Sequence, residues 1–240
     1  MRAVILAGGR GTRLAPYTTV VPKPLLPVGD KPILEIVCRQ LVHAGFDRIT
    51  LSLGYMSEYF KTFLAQHRSL RRLVDIDFVE EDEPTGTAGS LASIPDLEGT
   101  FLVMNGDILT DLSFTSLLEH HHRSEACVTI ATHRKTVKID LGILELQQDE
   151  VRGYIEKPTM SYPVSMGIYV YDERVLEFIE PGKYLDFPNL VLDLIQRKQK
   201  VAAYENNASW LDLGRYEDFQ EACRIFEDRE AQYIPKLYAA

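Results

Sequence analysis

Short apolar runs alternate with amphipathic stretches through the first half of the chain. Arg2–Leu6, Arg48–Leu53, Ile76–Glu80 and Phe101–Asn105 are brief runs rich in β-branched and aliphatic residues, and they predict strands. Between them, Pro32–Ala44 sets Ile33, Ile36, Val37, Leu41 and Val42 near helical spacing, with Gly45 placed to end the helix. Ser57–His67 and Phe114–Arg123 predict further helices, and Thr87–Ile94 a short one. A β-α-β-α order implies an α/β fold with a mostly parallel sheet covered on both faces. Ligands of such sheets bind beyond the carboxyl ends of the strands. That order puts Gly8–Arg13, the loop after Glu80 and Gly106–Asp107 at the binding edge.

The second half has a different texture. Cys127–His133, Gly142–Leu146, Val151–Ile155 and Val164–Tyr171 read as strands without long helices between them. Phe187–Lys198 then predicts a helix, Val201–Glu205 a strand and Tyr216–Phe226 a last helix. No Ser/Gly-rich linker, charge block or internal repeat interrupts the chain, and no hexapeptide repeat marks a C-terminal β-helix. The reading is one domain over residues 1–240, with a 1–125 half and a β-rich 126–240 half.

Charge sharpens the picture. The net charge of -9 argues against a nucleic-acid surface. Residues 1–31 nevertheless hold Arg2, Arg10, Arg13, Lys23 and Lys31 against Asp30 alone, which suggests a local anionic ligand. The apolar run Ala3–Ala7 is too short for a signal peptide, and no window approaches a membrane span. Cys38, Cys127 and Cys223 are far apart and form no paired motif, so a reducing cytoplasm is the expected setting.

The candidate chemistry starts at "LAGGRGTRL", residues 6–14, where a strand enters a glycine-rich bend suited to backbone contact with phosphate. It is not a dinucleotide fingerprint, because Leu14 stands where the last glycine should be, and it lacks the Gly-Lys-Ser/Thr of a P-loop. Arg13 and Lys23 flank an interval stiffened by proline, an arrangement able to clamp a polyphosphate. Asp107 and Asp212 lie at strand ends, and two such carboxylates suit Mg²⁺, with waters and phosphate oxygens completing its shell. Alone, each aspartate also reads as a cap or turn residue. Glu156 and Lys157 leave a strand in "YIEKP" as an acid–base pair able to read hydroxyls and a phosphate. His120–His122 cannot face one ion, since successive helical residues point about 100° apart, and reads as a polar helix end. Glu80–Glu83 reads as a solvated lip leading into "PTGTAGS", where Gly86 and Gly89 allow close approach to a flat ligand. Trp210 reads as packing.

Together these segments resemble the sugar-1-phosphate nucleotidylyltransferases, most of all the mannose- and heptose-1-phosphate guanylyltransferases. The likeness spans nearly the whole chain: "VILAGGRGTRLAPYTTVVPKPLLPVGDKPILE", "EDEPTGTAGSL", "FLVMNGDIL", "YIEKP", "MGIYVYD" and "SWLDLGRYEDF" follow the family order. The resemblance implies a Rossmann-like sheet and a reaction of a nucleoside triphosphate with a sugar 1-phosphate. It implies that Leu6, Ala7, Gly8, Gly9, Gly11 and Thr12 meet the nucleotide, that Gly86 and Thr87 lie along the base, and that Arg13 and Lys23 are catalytic. It further implies Mg²⁺ on Asp107 and Asp212, and Gly142, Glu156, Lys157, Ser165 and Gly167 at the sugar phosphate. GTP is the expected nucleotide, with thymidylyl- and uridylyltransferases, or a non-catalytic nucleotide-sugar-binding regulator, as alternatives. Ser165-Met166 replaces the family's usual Asn-Ala before Gly167, which points to an unusual acceptor such as a heptose or cyclitol phosphate. The tail after Phe226 leaves room for a homodimer.

Overall fold

Ala3, Val4 and Ile5 are fully buried, so the strand Arg2–Leu6 has no polar face and belongs at the centre of a covered sheet. The computed structural model describes residues 1–81 and 83–234, and places it there. Seven strands run in the order Val201–Glu205, Val128–Lys138, Thr159–Asp172, Thr100–Asn105, Arg2–Leu6, Arg48–Leu53 and Asp75–Glu80. Pairing is parallel except on the two sides of Thr159–Asp172. The sheet is therefore mixed and mainly parallel, as the alternation predicts.

The register decides where a ligand can sit. Leu6 is level with Ser52 on one side and with Asn105 on the other, and Leu53 is level with Glu80. Ala7, Gly54, Glu81 and Gly106 thus leave the sheet at one edge. One core packs Ala3, Ile5, Leu102 and Met104 with the helix Ile33–His43. The other packs Val4, Phe101, Val103 and Tyr171 with Leu190 and Leu194 of the helix Phe187–Gln196.

Several boundaries differ from the periodic reading. Val128–Lys138 and Thr159–Asp172 are longer than expected, pairing from Tyr171↔Val128 out to Thr159↔Lys138. Their outer residues are exposed on both faces, so alternation could not reveal them. The helix Arg68–Leu73 follows Ser57–Gln66 unforeseen, and the last helix continues to Tyr233, which is fully buried. The short helix after Thr85 is α-helical only over Gly86–Gly89. Asp82 of the acidic lip and residues 235–240 of the tail lie outside the described residues. Among the described residues no helix is long and apolar enough to cross a membrane.

The histidine run departs from a polar helix end. His121 is 3% exposed, its Nδ1 lies 2.8 Å from the Thr129 hydroxyl, and burial pushes its pKa down to about 4. The unfolded chain, with an imidazole near 6.5, binds the extra proton between those values. Stability is therefore full above about pH 6.5 and declines as pH falls toward 4. Urea denaturation at pH 7 and 4.5 is expected to show a smaller acid loss in His121→Gln than in the unaltered protein. Equal losses would remove His121 as a cause.

Candidate functional site

The turn after Arg2–Leu6 is built by close backbone packing. Ala7 donates to the Ser52 carbonyl at 2.9 Å and Tyr55 to the Gly8 carbonyl at 3.2 Å. A Cβ on Gly54 would stand 3.1 Å from the Gly8 oxygen, so two strand ends can touch only through glycine. Gly11 has φ +61°, and its carbonyl accepts from the Thr18 hydroxyl at 2.8 Å. Three short 3-10 turns, Thr12–Leu14, Tyr17–Thr19 and Lys23–Leu25, then fold the proline-rich loop back. They bury Lys23 to 7% exposure.

The Lys23 ammonium meets the Asp107 carboxylate and lies 3.8 Å from Asp212 Oδ1. The two aspartates converge because Ile108–Thr110 pairs antiparallel with Trp210–Asp212, setting Asp212 opposite Ile108. Leu213 also donates to the Asp107 carbonyl at 3.1 Å. Both strands are three residues long, too short for periodicity to betray. Burial, and then the neighbouring Asp107 carboxylate, push the Asp212 pKa up, against the pull of Lys23 and Arg13. Arg13 crosses Gly214, where a Cβ would lie 3.2 Å from the guanidinium. Tyr17 stacks on Tyr216 with ring centroids 6.1 Å apart, tying the basic loop to the helix after Asp212.

Arg13, Lys23, Asp107 and Gly214 line a cleft of about 500 Å³, whereas Asp212 is not in its lining and reaches it only through Lys23. Leu6, Ala7, Gly8, Gly9, Gly11 and Thr12 also line it. Gly86 and Thr87 line it as well, from a wall fastened to the segment Lys183–Phe187. Ala88 and Gly89 both donate to the Leu185 carbonyl at 2.9 Å, and Leu185 donates back to Thr85 at 2.8 Å. The Thr87 hydroxyl accepts from the Phe187 N–H at 2.8 Å and donates to Asp186 Oδ1 at 3.3 Å, so it caps a helix from a distant part of the chain. The sequence reading missed Ser52, Asn105, Tyr184 and Asp186 in this lining and took Glu81 for solvated surface. Asp186 before a Phe-Pro helix start was legible as a cap. Its meeting with Thr87, 99 residues away, was not.

The expected sugar residues lie apart. Gly142, Glu156 and Lys157 flank the ribbon formed by Ile143–Gln147 and Glu150–Ile155, and none lines the cleft. The side chains of Glu156 and Lys157 are 60% and 58% exposed and stand 3.9 Å apart. Tyr154 donates to Glu156 at 3.0 Å and lies across Gly142, where a Cβ would be 2.1 Å from its hydroxyl. Ser165 and Gly167 are also outside the lining, although Gly167 packs on Asn105, which is in it. Met166 is buried: its carbonyl accepts from the Trp210 indole at 2.9 Å, and its sulfur contacts the Asn206 amide at 3.3 Å. Its bulk is spent on the core.

Chemically, the cleft offers a backbone cradle, two cations and the Asp107 carboxylate, with Asp212 joined to them through Lys23. No cluster of three or more His, Cys, Asp or Glu suited to a metal occurs among the described residues. The donor set fits a hard cation that takes two carboxylates from protein and the rest of its shell from phosphate and water.

Known proteins resemble this chain along nearly its whole length. The Nucleotidyl transferase family model matches residues 2–229. The chain is 32% identical over 247 residues to mannose-1-phosphate guanylyltransferase catalytic subunit beta of Drosophila pseudoobscura pseudoobscura, covering 99% of this chain and 66% of that protein. It is 29% identical to UTP–glucose-1-phosphate uridylyltransferase of Synechocystis, covering 98% and 65%. The chain spans about two thirds of the length of these curated relatives. Among solved structures, HddC from Yersinia pseudotuberculosis superposes with a TM-score of 0.73 at 28% identity, covering 94% of this chain and 99% of that one. The chain belongs to the nucleotidyl transferase family, among the sugar-1-phosphate nucleotidyltransferases.

Proposed function

We propose that the chain transfers a nucleotidyl group from GTP to a mannose-, heptose- or cyclitol-type 1-phosphate, releasing pyrophosphate. The observation that carries this reading is Lys23 held between Asp107 and Asp212 in a cleft that opens on a glycine turn. The acceptor phosphate oxygen attacks the α-phosphorus in line, and the bond to the pyrophosphate oxygen breaks. No general base is needed, because a phosphate monoester is already ionised near neutral pH. The work left to protein is positioning and charge neutralisation. Gly8, Gly9 and Gly11 present backbone to the phosphates, Arg13 steadies the departing pyrophosphate, and Lys23 offsets repulsion between the two anionic substrates. Asp107 and Asp212 would hold Mg²⁺, which when bound supplies further neutralisation of phosphate charge. Glu156 and Lys157 are accessible to an acceptor's hydroxyls and phosphate. In this proposal residues 1–125 carry most of the nucleotide cleft and residues 126–240 the acceptor side, with Tyr184, Asp186 and Gly214 reaching across.

The wall around Gly86 supports guanine. Glu81 lies there with one oxygen fixed by the Thr85 hydroxyl, and Asp186 stands on the same wall. Guanine offers a carboxylate two adjacent donors, N1–H and the 2-amino group. Uracil and thymine offer one N–H between two carbonyls, which a carboxylate repels. HddC has also been solved in complex with GMP-PN. Relatives of this chain nonetheless include both guanylyl- and uridylyltransferases. Pyrophosphate release in Mg²⁺ across four nucleotides and a panel of hexose, heptose and cyclitol 1-phosphates is the test. GTP is expected to give the fastest release. Preference for UTP or dTTP would keep the reaction and overturn the base assignment, and nucleotide binding without release would favour a regulator.

A further inference from the structure

Tyr184 is 65% exposed, yet it lines the cleft. Its hydroxyl donates to Asp186 Oδ2 at 2.7 Å. The other oxygen of Asp186 accepts from the Thr87 N–H at 3.2 Å and from the Thr87 hydroxyl at 3.3 Å. The ring is thus aimed by a chain of hydrogen bonds, Thr87 to Asp186 to Tyr184, rather than by packing. Its tether ends on the turn that forms the cleft wall. The turn itself is locked: a Cβ on Gly86 or Gly89 would stand 2.6 Å from the Leu185 carbonyl or 2.7 Å from that of Lys183.

An apolar ring left in water at the rim of a cleft, with its polar edge fixed, is shaped to cover a flat ligand. A phosphate gains nothing from such a face, whereas a nucleobase does, since every base has a π-face. Glu81 lines the same cleft, so a carboxylate for the donors at a base's edge stands in the cleft that the ring faces.

We infer that Tyr184 is an aromatic contact for the nucleobase and that Asp186 is the positioning residue that aims it. The inference rests on reading the cleft as a nucleoside triphosphate site. The test is calorimetric titration of the full chain in Mg²⁺ with GTP, UTP, dTTP and pyrophosphate, followed by the best-bound nucleotide on variants. Tyr184→Ala is expected to weaken the nucleotide roughly tenfold while pyrophosphate affinity stays as it was. Tyr184→Phe, which keeps the ring and drops the tether, is expected to recover only part of the loss, the remainder being the share that Asp186 supplies by aiming the ring. An unchanged nucleotide affinity in Tyr184→Ala would overturn the inference. So would equal losses in the Ala and Phe variants, which would assign the effect to the hydroxyl, or a parallel loss of pyrophosphate, which would mean general damage to the cleft. Failure of the unaltered protein to bind any nucleotide would refute the reading of the cleft itself, before any variant is made.

Discussion

Asp107→Asn and Asp212→Asn are each expected to lower turnover by at least roughly 10²–10³-fold, the scale seen when a charge-stabilising group is lost from an active site. For Asp212 stability is expected to move the other way. Asp212 carries a carboxyl whose ionised form is disfavoured by burial and by Asp107. Its folded pKa lies above its unfolded one, so the ionised group opposes folding at neutral pH and does so less as pH falls. Asp212→Asn removes that penalty, so its melting temperature at pH 7 should match or exceed that of the unaltered protein. Pyrophosphate release and thermal melts on the same preparations decide the matter. Near-normal turnover in Mg²⁺ for both variants would sink the metal assignment. A fall in activity with a matching fall in melting temperature would make the pair structural.

The second large effect concerns Gly86. It has φ +85°, and a Cβ there would lie 2.6 Å from the Leu185 carbonyl, the acceptor for both Ala88 and Gly89. Gly45 has nearly the same backbone, φ +89°, but nothing within 4 Å of a Cβ. Gly45→Ala therefore isolates left-handed strain, roughly 1–2 kcal/mol. Gly86→Ala adds displacement of a shared acceptor, and is expected to cost about 2 kcal/mol more and to weaken nucleotide binding. Urea denaturation of the two variants separates these contributions. Equal costs would show that the 183–187 segment yields freely to the turn.

The sequence disclosed most of the parallel layer, because Arg2–Leu6, Arg48–Leu53 and Thr100–Asn105 are buried on both faces and are short runs rich in aliphatic residues. The glycine turn and the basic loop were legible for a related reason: glycine and proline act on their own backbone, so their signal is local. What stayed hidden depends on partners far along the chain. The ribbon of Ile108–Thr110 with Trp210–Asp212 has three residues a side, and only the fold sets Asp212 opposite Ile108. Asp186 joins the cleft wall by accepting from Thr87, and Tyr184 by donating to Asp186, bonds that leave no mark on local composition. The burial of Met166 was not legible because the facing of a side chain at a strand bulge, here between Ser165 and Tyr169, cannot be counted off by twos.

The central place of Arg2–Leu6 has a consequence for the chain as it is made. Arg2–Leu6 must wait for Arg48–Leu53 on one side and Thr100–Asn105 on the other, and the latter waits in turn for Thr159–Asp172. Contacts so distant in sequence carry a large loop-closure entropy and slow folding. At roughly 5–20 residues per second, the ribosome needs on the order of 10 to 40 seconds to pass from Lys23 to Asp212. Throughout that interval the nascent lysine lacks one of the two carboxylates it will finally face. On the proposed function a nucleotide cannot rescue the early chain, because the cleft is lined from Leu6 through to Gly214. Ligand binding is then among the last events of folding, and a nucleotide added during refolding should speed none of the earlier steps.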